Sequence, residues 1–418
     1  LQEKKQEKVW KFVSADKFVL PDKPASEKAR SLIRLFRDRI WGSQENEQQV
    51  DIQAELRTVP QKLLDWIAPF PDWTEPSEEI FSITRPWLEN QDSEDLFRVF
   101  IAPPGGGLGD ILAVLAEKKG WPVISAPDYA QLMTRDFWWV DKIPKSNEVP
   151  LVIPKLENLF LRHYNGLEHL RILFEKLFYS GQRCVIGCNS WLWKYLEVAM
   201  NFGDGFSEPY YMQSFNAEQM QQFFCDLEAQ KGQNTTVFRQ SDNGSFILPF
   251  DITAEGKLDK DLIDEYQGHD DDFPAFFLKK LAVEARGIPL VAWAIWRNSL
   301  KLAPEEEVAD AARDAAVADR GKTIWVKPFE KIVIPRMPAN SGQLACFLLL
   351  FLLIHDGLPP DVIYELLDFE KDKIISLLHR LKKAGIVVAE RGLWRVSWQG
   401  YPEARRFLAQ EDYLLDSM

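Results

Sequence analysis

Cysteine is scarce in this 418-residue chain, with four residues at positions 184, 188, 225 and 346. Four scattered thiols cannot build a disulfide scaffold, and their scarcity fits a reducing compartment, so a cytoplasmic location is expected. Long apolar runs are also missing. The longest, Leu344 to Ile354, spans about eleven residues against the roughly twenty that cross a bilayer, so no direct membrane insertion is expected and a buried helix is. Positive charge is short as well: 50 Lys and Arg face 63 Asp and Glu, a net charge of -13. Indiscriminate binding to phosphate backbones or anionic membranes is thereby disfavoured. The five histidines are dispersed, with no Cys or His at ligand spacing, so no metal site is expected; His269 with Asp270, Asp271 and Asp272 reads as a solvated loop. Residues Leu1 to Lys8 lack the apolar core of a secretory signal. The missing initiator Met points to a fragment or a processed chain, which leaves an upstream anchor open.

What the chain does have is apolar and aromatic mass: 46% hydrophobic residues, including 15 Trp and 27 Phe. That is enough for buried cores in two to four domains. Residues 1–90 read as a helical and extended lead-in, with an amphipathic helix in Glu27 to Trp41 and a Pro-rich connector between Trp66 and Trp87. Residues 91–214 alternate short apolar runs with helical patterns, the signature of a parallel sheet covered on both faces. Strands are expected at Leu96 to Ala102, Pro122 to Ser125, Val149 to Ile153 and Arg183 to Cys188. Between the last two lies a long helical stretch from Leu156 to Tyr179, broken near Asn165 and Gly166. Residues 215–320 read as a mainly helical lid, with a short strand at Ser245 to Leu248, helices at Pro274 to Arg286 and Leu290 to Leu302, and an acidic segment from 304 to 320. Residues 321–418 predict three helices, Gln343 to His355, Pro360 to Leu367 and Lys371 to Ala384, then two strands flanking Glu390, Arg391 and Gly392. Helices followed by a hairpin make a winged helix-turn-helix.

The candidate for chemistry is the run Pro103, Pro104, Gly105, Gly106, Gly107, Leu108, Gly109 and Asp110, between a predicted strand and a predicted helix. There, backbone N–H groups and a helix N-terminus can cradle phosphates. A competent P-loop also needs a Lys after the last glycine and a hydroxyl for magnesium. Asp110 and Ile111 hold those two places, so an acid replaces the cation and hydrolysis by the usual route is disfavoured. Three readings stay open: a permissive strand-to-helix turn, retained nucleotide binding without efficient hydrolysis, and a methyltransferase-like loop with Asp128 as the ribose-binding acid.

The order of these elements, with a glycine loop, a fourth strand ending in Asn189 and Ser190, a lid broken at Gly287, Ile288 and Pro289, and a final winged helix, resembles the AAA+/STAND class of P-loop NTPases, origin-recognition-type ATPases included. The resemblance covers about residues 95–418. It implies an α/β core of P-loop NTPase type with a helical lid, and it makes ATP or ADP the ligand to consider. It places Gly105, Gly106, Gly107 and Gly109 against phosphate, Asn189 at the sensor position of the fourth strand, and Arg297 or Arg286 in the lid near nucleotide. Where family members carry an acidic pair after the third strand, this chain has Pro154, Lys155, Leu156 and Glu157, which leaves Glu157 as the one nearby catalytic candidate. Asn189 and Ser190 fit equally well as a helix cap, and Cys184 and Cys188 read as core thiols.

Residues 371–406 hold nine basic residues against three acidic ones. Lys373, Arg380, Lys382, Lys383, Arg391 and Arg395 are the candidates for contact with a partner, which is a protein in the first reading and DNA in the second. The functional expectation is a degenerate AAA+/STAND-like regulatory or scaffolding protein, with nucleotide binding without efficient hydrolysis and self-association both open, that meets a protein partner. The alternatives are an origin-recognition-like DNA-binding protein and an active ATPase with unconventional residues.

Overall fold

The computed structural model describes residues 8–22, 56–90, 94–141, 143, 149–200, 206–230, 236–250, 266, 273–303, 323–416 and 418. The expected helix at Glu27 to Trp41, the His269 loop and the acidic segment at 304–320 lie outside these.

The chain opens with β1 (Phe12–Val13) and β2 (Arg57–Thr58), followed by α1 (Gln61–Ile67) and α2 (Thr74–Glu89). The core follows as β3 (Phe97–Ala102), α3 (Leu108–Lys119), α4 (Tyr129–Met133), α5 (Trp138–Asp141), β4 (Leu151–Ile153), α6 (Gly166–Tyr179), β5 (Cys184–Asn189), α7 (Ser190–Met200) and β6 (Tyr210–Met212). Next are α8 (Ala217–Ala229), β7 (Val237–Gln240), α9 (Phe276–Glu284), α10 (Pro289–Ser299), β8 (Leu300–Leu302) and β9 (Thr323–Val326). The C-terminal unit is α11 (Gly342–Ile354), α12 (Pro360–Leu366), α13 (Lys371–Lys383), β10 (Val387–Glu390), β11 (Leu393–Val396) and α14 (Tyr401–Gln410).

The main sheet has the order β1-β6-β3-β5-β4. All its pairings are parallel except that of β1, which runs antiparallel to β6. Every residue of β5 is buried, as is all of β3 but Arg98, which fits a sheet covered on both faces. The α/β fold expected from the sequence is present. The predicted strand at Pro122 to Ser125 is reduced to a single bridge between Val123 and Val152. The expected helix from Leu156 begins instead as a 3-10 turn, Leu156–Leu159, and the α-helix starts at Gly166.

Two expectations are corrected. The Pro-rich stretch between Trp66 and Trp87 is non-helical only from Ala68 to Trp73, because α2 occupies it from Thr74 onward. Pro76 sits in the first turn, where its missing N–H costs nothing, and the buried residues Ser77, Ile80, Thr84 and Trp87 recur at helical spacing. The region read as a helical lid, 215–320, also carries β7 and β8, which join β2 and β9 from outside it in a four-stranded sheet of order β2-β8-β9-β7. Its strands have two to four residues, too few to display an alternating pattern. The helix expected over Leu290 to Leu302 accordingly stops at Ser299, and the next three residues form β8, with Leu300 and Lys301 opposite β9 and Lys301 and Leu302 opposite β2.

In the C-terminal unit, three helices precede an antiparallel hairpin whose register pairs Val387 with Val396 and Glu390 with Leu393. Arg391 and Gly392 make the turn, both with positive φ. The apolar run expected as a buried helix is α11, nine of whose thirteen residues are buried. No helix among the described residues is long and apolar enough to cross a membrane.

Candidate functional site at the glycine loop

Parallel register places Ala102, the end of β3, opposite Asn189, the end of β5. The glycine loop therefore leaves the carboxyl edge of the sheet beside Asn189, where open α/β sheets form their ligand crevices. Gly107 caps α3 with a left-handed backbone (φ 77°), and Gly105 has φ 88°. Both conformations are expensive for any residue with a Cβ.

The loop's surroundings explain its glycines in a second way. A Cβ on Gly107 would fall on the indole ring of Trp73, and one on Gly109 would fall on the aliphatic stem of Lys155. A Cβ on Gly105 would lie 3.2 Å from Ile288 and 3.3 Å from Val291, with Trp398 just beyond. Gly106 packs against Ala102 and Met212. At each of these four positions the chain's own side chains leave little or no room for a Cβ.

Those side chains come from four parts of the molecule. Trp73 belongs to the N-terminal region and stacks edge-on with Trp10 and Phe70. Phe70 in turn meets Trp293 of α10 and Trp398 of the C-terminal unit, and Trp293 and Trp398 meet at 5.7 Å. The Pro-started helix α10 touches the loop directly, since its Leu290 N–H donates to the Gly105 carbonyl at 3.0 Å. Lys155 leaves the end of β4, crosses Gly109 and donates to the Asp356 carboxylate at 2.6 Å.

The cavity that remains over the loop holds about 90 Å³ and is walled by Lys155, Glu157, Asn189, Asp356, Arg395 and Trp398. Glu157 is buried, and burial pushes its carboxyl up to about 7 even though the Lys155 ammonium pulls the other way. It accepts a hydrogen bond from the Asn189 N–H at 3.2 Å. The Asn189 side chain is committed at both ends: Oδ1 accepts from the Leu192 N–H at 2.8 Å, and Nδ2 donates to the Ile354 carbonyl at 2.9 Å. It thus caps α7 and holds the last turn of α11.

The structure gathers Gly105, Gly107, Gly109, Glu157 and Asn189 around one cavity and adds Arg395, which the sequence grouped with the basic surface. Arg297 lies elsewhere. Its guanidinium donates to the Leu64 and Ala68 carbonyls and to Asp65 of α1, and it rests on the Trp293 ring. Arg286 donates to the Met418 carbonyl at 2.6 Å. Asp128 caps α4 through the Gln131 N–H. Cys184 and Cys188 are buried within β5, and burial raises both thiols.

Sequence reasoning passed over Lys155, Asp356, Trp73 and Trp398. Only Lys155 carried a signal, as a cation directly after a buried strand at the crevice edge. The other three reach the loop from distant segments.

A parallel sheet whose inner strand turns through glycines into a helix N-terminus, with a helical layer and a C-terminal helical unit, matches the expected P-loop-type architecture. The core is an α/β domain whose inner parallel strand turns through glycines into a helix. No family model and no curated protein matches the chain. Among solved structures it is similar to the Thermotoga maritima RuvB Holliday junction branch migration motor, at 12% identity over 82% of this chain and 95% of that one, with a TM-score of 0.32. It is also similar to the Aeropyrum pernix ORC2 protein (10% identity, 85% and 97% covered, TM-score 0.36). A third is the Aeropyrum pernix ORC1 protein in complex with DNA (15%, 86% and 97%, TM-score 0.33).

The basic residues of the C-terminal unit divide into two groups. Lys371, Lys373, Arg380, Lys382, Lys383 and Arg391 are exposed on α13 and the hairpin tip. Arg395 faces the glycine-loop cavity, and Arg405 pairs with the buried Asp416 at 3.0 Å.

Proposed function

We propose that this chain is a regulatory or scaffolding protein built on a P-loop core, in which the glycine loop works as an internal joint instead of a hydrolytic site. The observation that carries this is the 90 Å³ left over the loop. Small-molecule sites usually offer about 300–1,000 Å³, so a nucleotide does not fit beside Lys155, Asp356 and Trp398 as they stand. The donor set points the same way. Asp110 occupies the place of the phosphate-binding Lys, Ile111 that of the magnesium hydroxyl, and the Lys155 ammonium is already paired.

In this reading the loop positions the C-terminal unit against the core, and the unit's exposed face meets a protein partner. Titration calorimetry with ATP and ADP, with and without magnesium, tests it. The expected result is no binding tighter than about 1 mM. Micromolar binding, or magnesium-dependent turnover abolished by Glu157→Gln, overturns it in favour of an active or nucleotide-responsive protein.

A second reading has its own support in the exposed cations of α13 and the hairpin tip: the C-terminal unit as a winged helix that docks on DNA. A fluorescence titration of duplex DNA at two salt concentrations decides it. DNA binding predicts a steep salt dependence that flattens in Lys382→Glu and Lys383→Glu. A flat response leaves protein contact.

A further inference from the structure

The turn that ends α11 is tied to the core at three successive residues. The Ile354 carbonyl accepts from Asn189 Nδ2 at 2.9 Å, His355 Nε2 accepts the Arg162 backbone N–H at 3.3 Å, and the Asp356 carboxylate accepts from the Lys155 ammonium at 2.6 Å. The three donors stand at different places in the core: the end of β5, the stretch before α6 and the segment after β4. Directly beyond the turn, Leu358 pairs with Trp394 of β11 through both of its backbone groups, which joins the turn to the hairpin.

Glu157 is buried beside these ties and accepts the N–H of Asn189, the residue that holds Ile354. Lys155 on its own segment, Asp356 from the turn, Arg395 from β11, Asp110 from α3 and Cys188 from β5 line the same cavity. Tyr129 of α4 faces Lys155, Asp356 and Arg395. The Lys155 charge favours an ionised Glu157 and the Asp356 charge opposes it. Lys155 is committed to Asp356. Ionising Glu157 therefore sets a second buried carboxylate against one shared ammonium, a cost that water relieves when the interface opens.

We infer that Glu157 and the Lys155–Asp356 pair form a proton-operated latch, which seats the C-terminal unit while Glu157 is protonated and opens the turn from Ile354 to Asp356 when it ionises. The latch rests on the reading of the glycine loop as an internal joint. Burial sets its range by holding the Glu157 carboxyl up to about 7. A group that binds its proton more tightly in the closed state favours closure at low pH, and that preference is lost as pH rises toward 7. His355 does not interfere, because burial and the Arg162 charge hold its imidazole down to about 3.

The test is hydrogen exchange of the full chain, corrected for the intrinsic rate at each pH. The opening constant at the end of α11 should rise at least about tenfold between about pH 5 and about pH 8, and exceed that of β3 throughout. Glu157→Gln should flatten the rise. Asp356→Asn, which leaves Lys155 to Glu157, should move the midpoint to lower pH and shrink the rise, and it serves alone if Glu157→Gln fails to fold. A flat profile in the wild type, an unaltered profile in either variant, or equal opening constants in β3 and at the turn would each overturn the latch. Micromolar nucleotide binding would instead remove the joint reading beneath it, so the two failures are told apart.

Discussion

The Lys155 ammonium lies 2.6 Å from the Asp356 carboxylate, and through that pair the end of β4 holds the turn that follows α11. Lys155 crosses Gly109 to reach it, so the ion pair also seals the glycine loop. Both side chains are a little under one-third exposed. Asp356→Ala should therefore cost about 1–3 kcal/mol and speed hydrogen exchange at the interface of α11 with the core. Unchanged exchange there would show that the aromatic cluster alone seats the unit.

Substitutions in the loop separate packing from ligand binding. Gly107→Ala must place a methyl on Trp73 at a left-handed backbone, and should cost about 2–4 kcal/mol with no nucleotide present. Gly120 has similar φ but nothing within 4 Å, so Gly120→Ala should cost only about 1 kcal/mol. Urea unfolding of the two variants checks the difference, and equal losses would mean that backbone strain alone accounts for Gly107.

Glu157 supplies a pH signature. Its carboxyl titrates near 7 in the folded chain against an ordinary 4.5, so the folded state binds the proton more tightly. Stability from this group is present below the ordinary value and is lost as pH rises toward 7, by roughly 3 kcal/mol in all. Glu157→Gln keeps an acceptor for the Asn189 N–H and removes the titration. The variant should gain on wild type progressively from about pH 4.5 to 7 and level off above that. A constant difference across that range in urea melts would contradict the burial of an ionisable group at this place.

Asp416 is fully buried and joined to Arg405 at 3.0 Å, with Ser190 and Tyr401 as further donors. Asp416→Ala leaves Arg405 without its counter-charge and should cost about 3–5 kcal/mol. It should also release the segment after α14 from α7, which limited proteolysis would detect as new cleavage near 412–416. Wild-type protease resistance would show that apolar contacts hold the segment.

Much of this architecture was legible along the chain, because its signals are local. Continuous apolar runs such as Val149 to Ile153 and Arg183 to Cys188 marked buried strands. The amphipathic spacing in Lys371 to Ala384 marked α13, and the turn residues Arg391 and Gly392 marked the hairpin. Helix α2 was hidden by its prolines, and the short strands β2, β8 and β9 gain their identity only from partners far away in sequence.

The glycine loop shows the same division at the level of function. The sequence by itself determined that this loop lies between a buried strand and a helix and lacks the cation and hydroxyl of a hydrolytic P-loop, since those properties belong to adjacent residues. Only the tertiary structure decided what stands over it. Trp73, Lys155, Asp356 and Trp398 are spread across more than 300 residues, and they converge because packing of the N-terminal region and the C-terminal unit against the sheet buries their apolar surfaces together.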